Sequence, residues 1–91
     1  MKHVLKGDFK TKDVWLDNIK IDPIISQKVC NHSQDGFNWG YSDGGSAQLS
    51  LAILLEISDK ERAVENYQTF KQNVIALLPQ ENFETEFIWR L

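Results

Sequence analysis

The chain has 91 residues, enough for one domain around one core. Thirteen acidic against ten basic side chains leave a net charge of −3, which excludes the basic stripe of a general nucleic-acid binder and is too slight for an acidic mimic or a solvating tail. Three Trp, two Tyr and five Phe in a sequence that is 42% hydrophobic exclude wholesale disorder.

The first residues, Met1-Lys2-His3-Val4-Leu5-Lys6, lack the apolar run and small-residue cleavage site of a signal peptide. His3 to Lys6 reads as a short strand ending at Gly7. Residues 13–22 read as a hairpin with a two-residue turn at Asp17-Asn18, both types that tolerate positive φ. That register sets Leu16 opposite Ile19 and Val14 opposite Ile21 on one face, with Trp15, Lys20 and Asp22 on the other. Pro23 stops the strand, and a turn followed by a short strand is expected from Ile24 to Cys30.

Asn31 to Gly36 is dense in turn formers and reads as a loop. Phe37-Asn38-Trp39-Gly40-Tyr41 alternates aromatics with small or polar residues, and Ser42 to Ser46 breaks structure again. Residues 47–57 read as a helix apolar nearly all round, which makes it the central, buried one. Ser58 with Glu61 fits a capping box for a second helix over residues 59–78. Its stripe of Ala63, Tyr67, Phe70, Val74 and Leu77 recurs at helical spacing up to Pro79. The last residues alternate: Phe83, Thr85, Phe87, Trp89 and Leu91 lie on one face, Glu84, Glu86 and Arg90 on the other, as in a strand with one buried side. Strands, two helices, then a strand give an α+β fold, with a small antiparallel sheet packed on two consecutive helices in a single domain over residues 1–91.

The single cysteine, Cys30, excludes an intrachain disulfide and reads as a small buried hydrophobe. No apolar run approaches the length of a membrane span. A cytoplasmic protein with neither a nucleic-acid nor a membrane partner is therefore expected.

Candidate site residues gather between residues 31 and 48. His32, Ser33 and Asp35 resemble triad members, but one loop places them too close in sequence to orient one another; turn-forming bonds to their own backbone are the plainer expectation. Two His, one Cys and no ligand spacing give no basis for a metal, and no cofactor is expected. Gly44-Gly45-Ser46 ahead of a helix is either an anion site on free N–H groups or a sharp glycine turn, with Ser46 or Asp43 capping the helix. Trp39 and Tyr41 either stack on a ligand or partner ring or fill the core. Gln48, polar among apolar neighbours, either bonds the loop backbone or points into a pocket.

Asn31-His32-Ser33-x-Asp35-Gly36-Phe37-x-Trp39-Gly40-Tyr41 followed by Ala47-Gln48-Leu49-x-Leu51-Ala52-Ile53-Leu54-Leu55, with Tyr67, Phe70-Lys71, Val74 and Leu78-Pro79, resembles a small bacterial and phage domain family of unknown function. The resemblance is close over residues 31–79; the hairpin and the final strand match in outline. Members of that family carry Tyr-Gly-Gly-Ser-Gly-Pro-Ala-Gln-Leu where this chain has Tyr41-Ser42-Asp43-Gly44-Gly45-Ser46-Ala47-Gln48-Leu49. The resemblance implies a free-standing accessory protein of a phage or mobile element and brings no catalytic residues. The expected function is a non-enzymatic binding module acting on a protein partner or on a second copy of itself, with His32, Trp39, Tyr41, Asp43, Gly44, Gly45, Ser46 and Gln48 as its contact residues. The alternative is a nucleotide-like small ligand held by Trp39, Tyr41 and the Gly44-Gly45-Ser46 segment.

Overall fold

A computed structural model describes residues 1–89. Four antiparallel strands, β1 (Lys2–Asp8), β2 (Asp13–Leu16), β3 (Ile19–Ile21) and β4 (Phe83–Ile88), form one sheet in the order β3-β2-β1-β4. Three helices lie on one face: α1 (Pro23–Val29), α2 (Gly44–Ile57) and α3 (Lys60–Asn73), the last followed by a 3₁₀ turn (Ile75–Leu77). The architecture is the α+β fold expected from the sequence.

The hairpin follows its predicted register, with Leu16 opposite Ile19 and Val14 opposite Ile21. Asp17 (φ 52°) and Asn18 (φ 69°) both occupy the left-handed region, as a two-residue turn of matching twist requires. Asp17 also ties this turn to β1. Its carboxylate accepts from Val4 N (2.8 Å) and His3 Nδ1 (2.7 Å), and its own N–H donates to Val4 O (2.8 Å). β1 is longer than the sequence implies because it is an interior strand, paired with β2 on one side and β4 on the other. The N-terminal ammonium donates to Trp89 O (3.0 Å), and Trp89 N donates back to Met1 O (3.1 Å).

Residues 24–29 are helical and Cys30 is the extended residue that ends the helix, in place of the expected turn and strand. Asp22 accepts the Ile24 N–H (2.8 Å) and Pro23 takes the first helical position, where its missing N–H costs nothing and its fixed φ favours the helix. Aspartate-proline, read from sequence as the end of a strand, is also the start of α1. Cys30 is exposed rather than buried; its N–H donates to Ser26 O (2.9 Å) and its carbonyl accepts from Gln48 Nε2 (3.1 Å).

α2 begins three residues earlier than residue 47. Asp43 caps it, its carboxylate accepting the Ser46 N–H at 2.9 Å. Every residue from Ser46 to Leu54 is buried, as expected of a central helix. Asp59, not Ser58, caps α3 by accepting from Arg62 N (2.8 Å), while the Ser58 hydroxyl turns back to donate to Leu54 O (2.5 Å).

The expected single helix over residues 59–78 breaks at Val74. In a continued helix Ile75 O would accept from residue 79, and Pro79 has no N–H to give. Ile75 O accepts instead from Gly40 N (3.0 Å), and the chain tightens into the 3₁₀ turn. The break buries Ile75 and turns Leu77 outward to 75% exposure, although the helical stripe placed Leu77 inside.

Phe83 and Phe87 of β4 face the helices, while Glu84 and Glu86 face solvent; Arg90 and Leu91 of the expected strand lie outside the described residues. The core joins Leu5, Val14, Leu16 and Ile21 of the sheet to Leu49, Ile53 and Leu54 of α2 and to Ala63, Tyr67 and Phe70 of α3. The opposite face of the sheet is left to water and carries cross-strand charge: Lys2 pairs with Glu86 (2.8 Å), Lys20 with Asp13 (3.3 Å), and Lys6 sits over the Trp15 ring.

Candidate functional site

The segment from residue 31 to 43 wraps the N-terminal end of α2, and one buried amide holds it there. Gln48 is fully buried. Its Oε1 accepts from His32 N (2.7 Å) and Ser33 N (3.1 Å), and its Nε2 donates to Ser26 Oγ (2.8 Å) and Cys30 O (3.1 Å). All four hydrogen-bonding positions of the amide are filled, so α1, the loop and α2 are joined at one point. His32 Nε2 lies 2.7 Å from the Tyr67 hydroxyl, which adds α3 to the same junction. Of the two expectations for Gln48, bonding to the loop backbone is the one the geometry follows.

Trp39 is fully buried, its ring edge-on to Phe83 (5.0 Å) and to Phe9 (5.6 Å), with Nε1 donating to Glu81 O (3.0 Å). Room for it comes from Gly7, where a Cβ would lie 2.9 Å from the indole and 2.4 Å from Phe83. Tyr41 parts company with it: the ring is 45% exposed and its hydroxyl donates to Gln80 Oε1 (2.7 Å).

Gly44 and Gly45 are helical, and the positive φ values of this region belong to Gly36 and Gly40. Their faces are packed against backbone. A Cβ on Gly44 would come 2.4 Å from His32 O, and one on Gly45 2.6 Å from Asn38 Cβ. Close approach of the loop, rather than a turn, is what requires glycine at both.

The helix start is filled by the chain's own carboxylate. Asp43 accepts from Ser46 N and, at 3.0 Å, from Asn38 Nδ2. Partial burial works against its charge, but these donors outweigh burial and hold the carboxyl below its usual range. The Ser46 hydroxyl and Asn38 Oδ1 are buried beside it without a protein partner.

The eight expected contact residues therefore split. Asp43, Gly44, Gly45 and Ser46 meet at the helix start, and His32 and Gln48 at the junction with α1; Trp39 lies in the core, and Tyr41 on the surface beside Gln80. Neither of the two depressions that flank β3 is lined by any of the eight. Among the described residues, no group of three His, Cys, Asp or Glu side chains is arranged to hold a metal.

Among the surface depressions elsewhere, two flank β3. A cleft of about 340 Å³ separates Lys12, Asp13 and Lys20 from Asp22, Asp35 and Phe37. At its rim the Lys12 ammonium rests over the Phe9 ring, 5.1 Å from the centroid of Trp39; partial desolvation lowers its pKa, against the pull of Asp43. A groove of about 380 Å³ runs beside β3 between Met1, Ile19, Ile21 and Ile57. Sequence reasoning missed both, because each is built where the hairpin meets segments distant in the chain.

A family profile matches residues 6–91, spanning the hairpin, all three helices and β4. The chain belongs to the family of unknown function DUF6166. The block that carried the resemblance is thus spent largely inside the molecule: Phe37, Trp39, Ala47, Gln48 and Leu49 are all buried. No curated protein and no solved structure gives a significant match. No helix of the described chain is long and apolar enough to cross a membrane.

Proposed function

We propose that the chain is a non-enzymatic interaction module that binds protein through the flank formed by β3, α1 and the end of α2. One observation carries this reading. Met1, Ile19, Ile24 and Ile25 are exposed there, beside half-buried Leu55 and Ile57. Singly exposed aliphatics are ordinary, but a contiguous group on one side is the usual mark of a contact surface. The other exposed large apolar side chains, Tyr41, Val64, Leu77 and Ile88, belong to four separate segments.

The block between residues 31 and 48 supports this reading indirectly. It holds the fold together, with Trp39 and Gln48 fully buried, and Asp43 places negative charge where a phosphate would have to sit. A photo-cross-linking residue at position 25, with position 77 as the control, tests the assignment in cells expressing the chain. Adducts to protein are expected from position 25 and not from position 77. No adduct from position 25, or equal adducts from both, would overturn it.

A further inference from the structure

We infer that the apolar flank takes a segment of another protein that carries one arginine or lysine between aliphatic side chains, with the cation set against Glu56. This deepens the interaction reading above and rests on it. The shape comes first. The groove of about 380 Å³ beside β3 has Ile19, Ile21 and Ile57 in its walls, and a small pit continues from it between Ile25, Ala52 and Leu55. Ile21 and Glu56 line both. Glu56 therefore stands where the two depressions meet, with Ile19 exposed on one side of it and Ile25 on the other. The edge of the sheet is a poorer seat, because β3 has only three residues and Lys20 at its centre guards it.

Charge then selects the occupant. Glu56 is exposed and lies in the last turn of α2, which holds no basic residue. A carboxylate there faces the negative end of the helix dipole, an arrangement that costs stability instead of adding to it. Among the described residues no ion pair relieves it. The nearest cations of the groove are engaged elsewhere, Lys20 with Asp13 (3.3 Å) and His3 with Asp17 (2.7 Å). Lys28, a turn further along α1, lines neither depression.

A cation supplied from outside meets both the Glu56 carboxylate and the open end of α2, while aliphatic neighbours on the same segment cover Ile19 and Ile25. Arginine suits the place best: its guanidinium is weakly hydrated and its stem packs along apolar surface. The pit is also lined by Asp22, whose carboxylate caps α1 by accepting from Ile24 N (2.8 Å), so the charge around the aliphatic residues is negative. That sign repels the anionic headgroups a membrane surface would bring and attracts a basic segment, steering its approach.

Selection from a random peptide library displayed on phage, run against the immobilised full chain, tests this. Enriched peptides are expected to carry Arg or Lys flanked by Ile, Leu, Val or Met. Their affinity should fall about tenfold or more against Glu56→Lys and against Ile25→Ser, and selection repeated on Glu56→Lys should bring Asp or Glu to the same place. Stability gives a second readout. Glu56→Lys should raise the melting temperature by roughly 2–5 °C, and Glu56→Gln by less, because each relieves the end of α2; a carboxylate kept for the fold would give the reverse. No enrichment, peptides without a cation, affinity unchanged in Glu56→Lys, or a lower melting temperature in both Glu56 variants overturns the proposal. So does a mass that rises with concentration above 10.5 kDa in the wild type and not in Ile25→Ser, which seats a second copy on the flank, or binding to phosphatidylglycerol vesicles that Ile25→Ser abolishes, which seats a membrane there. If peptides of another composition bind and are lost in Ile25→Ser while position 25 cross-links to protein, the cation falls and the interaction reading stands; with no enrichment and no adduct, both fall.

Discussion

Gln48 shows how a single amide can be worth more than its size. Replacement by Leu keeps the volume but strands the N–H groups of His32 and Ser33, the Cys30 carbonyl and the Ser26 hydroxyl. Each buried, unpaired group costs about 1–3 kcal/mol, and the loop can relax toward water, so a loss of about 2–4 kcal/mol is expected for Gln48→Leu in urea unfolding. Glu at the same position keeps the two acceptor contacts, loses both donors and faces Cys30 O with a charge; it is expected to be worse than Leu. That Gln48 had work to do was legible from its apolar company. That Ser26 was among its partners was not, because Ser26 lies on a helix the pattern did not reveal.

Asp43 has the same residue-scale character. Its donors hold the folded carboxyl below its ordinary value, so the charged form favours the folded state. The contribution is complete above the unfolded pKa of about 4 and is lost as pH falls through the folded value. Asp17, held down by the His3 hydrogen bond and the Val4 N–H, works in the same direction. Melting temperature followed from pH 7 to pH 2 should therefore fall below about pH 4, and the fall should be shallower in Asp43→Asn. At neutral pH, Asp43→Ala should cost about 1 kcal/mol as a lost helix cap.

Among the elements, the start of α2 gives the sharpest contrast between local propensity and tertiary fit. In a helix interior Ala is favoured over Gly by about 1 kcal/mol, so on propensity alone Gly44→Ala should stabilise. The added methyl would lie 2.4 Å from the His32 carbonyl oxygen, a backbone atom that cannot rotate aside. The expected outcome in thermal unfolding is a net loss of about 2 kcal/mol or more, from overpacking. Stabilisation by Ala would show that the loop does not press on the helix.

Nothing in the local pattern distinguishes a glycine needed for a turn from one needed for close approach, which is why Gly44 and Gly45 looked like a bend. α1 escaped notice for a related reason. In seven residues its single buried position is Ser26, so it has no apolar stripe to read. The hairpin and the alternation of β4 were legible because each buries one periodic face, and α2 because it is apolar nearly all round. The end of α3 misled because the stripe continued to Leu77 while Pro79 had already removed a hydrogen-bond donor.

For the molecule as a whole, the sequence shows which strands exist but not their order. Both the N-terminal hairpin and the last strand present one apolar face, and any adjacency would satisfy that. The order β3-β2-β1-β4 follows from β1, whose six-residue register with β4 runs from Lys2 opposite Ile88 to Gly7 opposite Phe83. Removing β4 uncovers one whole side of β1 and takes Phe83 and Phe87 from the core. A chain ending at Leu78 is expected to lose cooperative unfolding in urea, whereas shortening the exposed Lys10-Thr11 turn by one residue should leave it two-state.

The position of β1 also sets an order in time. It is synthesised before the other elements of this fold, yet its second neighbour lies some eighty residues downstream (Lys2 faces Ile88). Until that partner arrives, α2 has only half a sheet to lie on. Nascent chains would therefore present Leu49 to Leu54 to chaperones or to one another, and productive folding waits for β4 to close over β1.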